Sequence, residues 1–276
     1  MRHEKKMSFL EHLDELRRRL VISLIAIAIA FLIAWFFHKE IYRFLARPVL
    51  QFLPPGEDRL AYTSLAEPFF FYLKISFLAA LFLASPVVIT ELWLFISPAL
   101  YPRERKYALP FIIFGSLFFI AGGAFGYYIA FPMVCRFFLA QGMEFRQVIT
   151  AKSYLSLLTT ILLGLGLVFE TPILIFFLSR LGLVSPGFLI RNFKYAILIV
   201  FIIAAVITPT PDVVTQTTFA LPMLGLYALG ILIAKLFGKE EEEESGEEEE
   251  IYPKKKEEDL ENEEGEDDKD DSPPLG

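Results

Sequence analysis

Six apolar stretches, almost free of charge, fill most of the first 239 residues and leave the chain few folds to choose from. They run Leu20–Phe37, Phe69–Thr90, Tyr107–Val134, Tyr154–Leu178, Tyr195–Pro211 and Val213–Ala234. At about 1.5 Å per residue, roughly 20 apolar residues cross the bilayer hydrocarbon, where a helix satisfies its own backbone. The expected fold class is therefore all-α: a polytopic membrane protein with six transmembrane helices. The 29 Phe residues alone exceed what one soluble core of this length buries, so lipid is the missing solvent. Only Asp212 parts the last two stretches, but Thr208-Pro209-Thr210-Pro211 precedes it, and proline breaks the run into a tight hairpin. That leaves the fifth helix about 15 residues, roughly 22 Å, and local membrane thinning is expected around it.

The net charge of −7 averages two unlike parts. Residues 240–276 hold 20 Asp and Glu against 4 Lys, a balance of −16, whereas 1–239 carry +9. The tail has almost nothing apolar to bury, so the expectation is a transmembrane domain over 1–239 and a disordered, acidic cytoplasmic tail over 240–276. A basic body suits an anionic membrane surface, and nothing in it points to nucleic acid. With the N-terminus in the cytoplasm, 14 Lys and Arg lie in inner segments against 7 in outer ones, so both termini are expected inside. The apolar run after Arg17-Arg18-Arg19 lacks a small-residue cleavage site and reads as a retained helix. The expected location is a bacterial inner membrane. Cys135 is the single cysteine, so no intramolecular disulfide, metal site or redox cofactor is expected.

Several residues carry chemistry out of place in such a chain. In Phe9–Leu20, Phe9, Leu13, Leu16 and Leu20 share one helical face, with Glu11, Glu15 and Arg18 opposite. The segment is expected to lie at the membrane surface, with Asp14–Arg18 and Glu15–Arg19 pairs, or else to leave Glu15 free for a cationic ligand. Trp93–Arg105 is apolar and aromatic before it turns charged. It could seat an extended peptide, or be an interfacial connection in which Glu104 offsets Arg103 and Arg105. Glu170 sits well inside a span with no basic neighbour in sequence, where an ionised carboxylate costs about 2.5–3.5 kcal/mol. It must be protonated, hydrated or paired, and Pro172 predicts a kink beside it. Lys74 is near enough to a helix end to snorkel, and Asp212 and Gln216 cap the last helix or line an external opening. His3, His12 and His38 all fall outside the spans, and no G-x-S-x-G, H-E-x-x-H or phosphate-binding glycine loop occurs, so an enzyme is not expected.

Six pieces, taken in order, are similar to one family: E-H-L-D-E-L-R-R-R-L at Glu11–Leu20, A-R-P-V-L at Ala46–Leu50, S-P-V-V-I at Ser85–Ile89, F-I-S-P-A-L-Y-P-R-E-R at Phe95–Arg105, F-E-T-P at Phe169–Pro172 and T-P-T-P-D-V-V-T-Q at Thr208–Gln216. Up to about Lys239 the chain resembles the TatC family, multispanning receptor subunits of the twin-arginine protein translocase. The resemblance implies a concave six-helix arrangement with short helices 5 and 6. It also implies binding of twin-arginine signal peptides of folded cargo at the cytoplasmic face, a multimeric complex with single-span TatA and TatB, and export driven by the proton motive force. It assigns Glu15, Arg17, Phe95, Glu104 and Arg105 to the signal peptide, and Glu170 to a partner's membrane helix. Pro48, Asp212 and Gln216 it assigns to external loops. Thr171 departs from the apolar residue expected between Glu170 and Pro172, and the acidic tail exceeds the family core. A proton-coupled carrier for a small solute, with Glu170 as its proton site, is the alternative reading. A scaffold without a ligand and an intramembrane protease are further alternatives.

Overall fold

The computed structural model describes residues 9–51, 59–96, 108–142, 144–145, 148–208 and 212–237. Helix α1 (Phe9–Phe36) has neither Pro nor Gly and runs unbroken for 28 residues. The amphipathic segment forms the first three turns of this helix and leads without a break into the first span. Helices α2 (His38–Leu50) and α3 (Glu67–Ile96) follow. Next, α4 (Ala108–Phe125), a π turn (Gly126–Ala130) and α5 (Phe131–Gln141) continue as one rod well past the predicted end at Val134. Pro132, in the first turn of α5, offers no N–H to the residues behind it, and the wider π turn accommodates its ring.

Helix α6 (Ala151–Phe169) gives way to α7 (Thr171–Arg180) at Glu170, followed by the short α8 (Pro186–Arg191). Then α9 (Phe193–Ile207), of 15 residues, precedes α10 (Val213–Phe237). Five stretches are long and apolar enough to span a membrane: Leu10–Phe36, Glu67–Phe95, Ile112–Gln141, Ala151–Arg180 and Val213–Leu236. With the shorter α9 they make up the six-helix membrane fold.

Helix α1 packs along α3 through a seam of Ala26, Ala30, Ala80 and Ala84, and exposes Leu24, Ile25 and Leu32 on its other side. Helices α4 and α6 come closer still. A Cβ added at Gly122 would lie 2.5 Å from the Leu165 carbonyl oxygen and 2.9 Å from Gly166 Cα, so the two backbones touch. Small residues at such seams let dispersion forces hold helices together where lipid competes for apolar surface. Phe131, Leu158, Ile161, Leu165, Phe219 and Met223 fill the centre, against which α2, α3 and α9 also pack.

Pro48, expected in an external loop, lies buried inside α2. Its ring nitrogen has no hydrogen for the Phe44 carbonyl one turn back. Tyr127 donates its hydroxyl to that carbonyl, and Tyr154 on α6 donates to the neighbouring Leu45 carbonyl. Proline thus exposes an acceptor through which α2 is fastened to the body. Tyr154→Phe keeps the ring packed against Phe131 but removes the hydrogen bond from α6 to α2, so a loss of about 0.5–1.5 kcal/mol is expected. A melting temperature in detergent equal to the parent's would show that this hydrogen bond does not help hold α2 to the body. On the same side, Ala61 and Thr150 form an isolated parallel bridge. The Glu67 carboxylate accepts from Thr63 N–H at 2.7 Å, Thr63 hydroxyl at 2.9 Å and Lys152 N–H at 3.0 Å, joining the starts of α3 and α6.

Candidate functional site

The first turns of α1 meet the last turns of α3, because the helices run antiparallel and their ends coincide. His12, Glu15 and Arg19 recur at helical spacing on the stripe facing α3. On α3, Glu91 and Phe95 are four residues apart and face α1. The His12 and Phe95 rings stack at 4.6 Å with 20° between planes. Arg19 donates through Nη1 to Glu91 Oε2 at 3.0 Å and through Nη2 to Glu15 Oε1 at 3.2 Å. One guanidinium thus links carboxylates from two helices. The second Glu15 oxygen, Oε2, is buried and receives no hydrogen bond.

Leu13, Leu16 and Leu20 are exposed, as are Glu11, His12 and Arg18, whereas Glu15 and Arg19 are half-buried against α3. In a membrane span, apolar side chains are content to face outward, so amphipathicity does not reveal which face meets a neighbour. The Glu15–Arg19 pair forms as expected and engages one of the two Glu15 oxygens, while no ion pair joins Asp14 to Arg18 among the described residues. Arg17 is exposed and Phe95 half-buried. Glu104 and Arg105 lie outside the described residues. Sequence reasoning missed Glu91, although a carboxylate near the end of an apolar helix carries the same signal that singled out Glu170.

The second candidate is set by Pro172, which breaks the helix at Glu170 and leaves the Val168 carbonyl without its usual N–H. The Thr171 hydroxyl donates to that carbonyl. A residue that departs from the apolar pattern is thereby explained: it satisfies the acceptor that proline abandons. Glu170 borders a cavity of about 350 Å³ lined by Ser85, Ile89, Trp93, Leu167, Ile173 and Phe177. Its Oε1 is buried and receives no hydrogen bond, and a Cβ added at Gly115 would lie 3.3 Å from Oε2. Trp93 connects the two candidates. It stands between Glu91 and Phe95 on α3, yet points the other way, into the cavity and against Phe177 at 4.0 Å.

Asp212 and Gln216 have local partners. Asp212 Oδ1 accepts from Thr215 N–H at 2.7 Å, capping α10, and Gln216 Nε2 donates to the Phe201 carbonyl at 2.9 Å, tying α10 to α9. Gln216 thus lies in α10 rather than in a loop. Cys135 is buried and free, and no group of three or more His, Cys, Asp or Glu suited to a metal occurs among the described residues.

Residues 11–222 match the family model for the Sec-independent protein translocase protein TatC. The chain is 48% identical over 234 residues to a protein of that description from Koribacter versatilis, covering 84% of this chain and 86% of the relative. It is 45% identical over 240 residues to the one from Desulforapulum autotrophicum, covering 87% and 88%. A crystal structure of the twin-arginine translocase receptor TatC superimposes with a TM-score of 0.69 at 37% identity, covering 82% of this chain and 99% of that one. The six-helix fold, the order of its breaks and these matches agree on a translocase component rather than an enzyme: the chain belongs to the TatC family.

Proposed function

We propose that this chain is the signal-peptide receptor of a twin-arginine translocase. It sits in the bacterial inner membrane with both termini in the cytoplasm, and takes the twin-arginine motif of folded cargo at its cytoplasmic face. It works in a multimeric complex with single-span TatA and TatB, and the proton motive force drives export. Residues 1–239 are the receptor domain, and 240–276 a solvated extension. The observation that carries the reading is the Glu15 carboxylate, with one oxygen held by Arg19 and the other buried without a donor. A guanidinium is always charged and offers a planar fork of donors, which suits such an acceptor better than a compact, strongly hydrated ammonium does.

Glu104 takes the second arginine, with Arg17, Arg105 and Phe95 around the motif. Glu170 meets a partner's membrane helix, and Pro48, Asp212 and Gln216 belong to the opposite face. Family membership favours this over the carrier alternative. The test is binding of labelled Arg-Arg and Lys-Lys signal peptides to purified protein and to its Glu15→Gln and Glu104→Gln variants. Arg-Arg is expected to bind at least ten-fold tighter. Each variant should weaken it about ten-fold to a hundred-fold, as for loss of one charged hydrogen bond. Equal binding of both peptides, unaltered by either substitution, would overturn the assignment.

A further inference from the structure

We infer that Arg19 and Glu91 tune the Glu15 site for arginine without touching the ligand: Glu91 anchors Arg19, and Arg19 holds Glu15 so that its second oxygen is left without an internal donor, for an incoming guanidinium to satisfy. The inference rests on the receptor reading above and deepens it. Its first support is charge. Among the described residues the cluster holds two carboxylates and one guanidinium, one negative charge in excess. It is partly desolvated, with side-chain exposures of 16% for Glu15, 20% for Arg19 and 11% for Glu91. An unmatched charge in such a place calls for one more cation. The oxygen left without a donor, Glu15 Oε2, marks where that cation belongs.

The second support is geometry. Arg19 and Glu15 are four residues apart on one helix, so an unrestrained Arg19 can lay both amino groups on Glu15 and satisfy both of its oxygens. It does not: Nη1 lies 3.0 Å from Glu91 on α3, Nη2 reaches only Glu15 Oε1, and Nε is turned so that it meets neither carboxylate. Glu91 therefore keeps an internal arginine from filling the acceptor a ligand arginine needs. Arg19 in turn holds the carboxylate in one orientation, which favours a planar fork over a mobile ammonium. Arg19 and Glu91 are positioning residues, and they connect ligand binding to the α1–α3 seam.

The experiment measures Arg-Arg and Lys-Lys peptide affinity and melting temperature for the full chain and its variants in detergent. Glu91→Gln is expected to weaken Arg-Arg binding at least ten-fold and to bring the Arg-Arg to Lys-Lys ratio towards one. Arg19→Lys keeps the charge but has no fork to bridge two carboxylates, and is expected to narrow the ratio likewise, so the question stays answerable if Glu91→Gln does not fold. The charge reversal Arg19→Glu with Glu91→Arg restores the link between helices. It is expected to recover the melting temperature lost in either reversal alone but not the discrimination, because it sets a carboxylate beside Glu15. A parental ratio in Glu91→Gln and Arg19→Lys, or recovery of both stability and ratio in the reversed pair, would overturn the inference. If Glu15→Gln also leaves the ratio at the parental value, the receptor site itself is misplaced. If Glu15→Gln collapses the ratio and the other two do not, only the role of Arg19 and Glu91 falls.

Discussion

Gly122→Leu is expected to prevent the membrane domain from accumulating in folded form. The first atom of the new side chain would stand 2.5 Å from the Leu165 carbonyl oxygen and 2.9 Å from both Gly166 Cα and Phe169 Cβ. Two of these are backbone atoms of α6, which cannot turn aside as the end of a side chain can. Helices α4 and α6 would have to separate along their seam, and Phe131, Leu158 and Leu165 beneath it would lose their packing. Overpacking a core with flexible neighbours costs about 1–3 kcal/mol, and pushing two backbones apart costs more. Total stabilities are only about 5–15 kcal/mol, so a loss on that scale removes most of the folded population. Gly225→Ala is the internal control. A Cβ there meets nothing within 4 Å, and alanine's helix preference should stabilise α10 by about 0.5–1 kcal/mol. Yield of monodisperse protein and melting temperature in detergent read both variants. A Gly122→Leu protein that purifies and melts like the parent would show that the α4–α6 backbone contact does not hold the fold.

Glu170→Leu is expected to do the opposite, sparing the fold while removing function. The carboxyl sits at the edge of a mostly apolar cavity with one oxygen buried and lacking a hydrogen bond, so in the isolated chain it opposes folding. A leucine of similar size removes that penalty, and the melting temperature should equal or exceed the parent's. Export of a folded reporter is expected to fall to about a tenth or less, the equivalent of about 1.4 kcal/mol of lost coupling to a partner helix. Glu170→Gln retains a hydrogen-bonding group and should export at an intermediate level. Parental export by Glu170→Leu would sink the partner-contact assignment, whatever its stability.

Much of the design could be read along the chain because its causes are local. The number of spans follows from the length of hydrocarbon an apolar run must cross. The 15 residues of α9 follow from prolines placed just beyond Ile207. The break at Glu170 follows from Pro172, and the cap on α10 from Asp212, each a matter of a donor present or absent within one turn. The Glu15–Arg19 pair was legible for the same reason, at four residues' separation.

The remainder depended on contacts between residues distant in sequence, which no periodicity encodes. Glu91 meets Arg19 across 72 positions, and Tyr154 meets Leu45 across 109. Which stripe of α1 faces α3 could not come from amphipathicity, since in lipid the leucines gain nothing by turning inward, whereas Glu15 and Arg19 gain a partner. The number of spans and their proline breaks and local caps were thus determined by sequence alone. Helix register was decided by the tertiary structure, because only close packing at seams such as Gly122–Gly166 selects which polar groups meet.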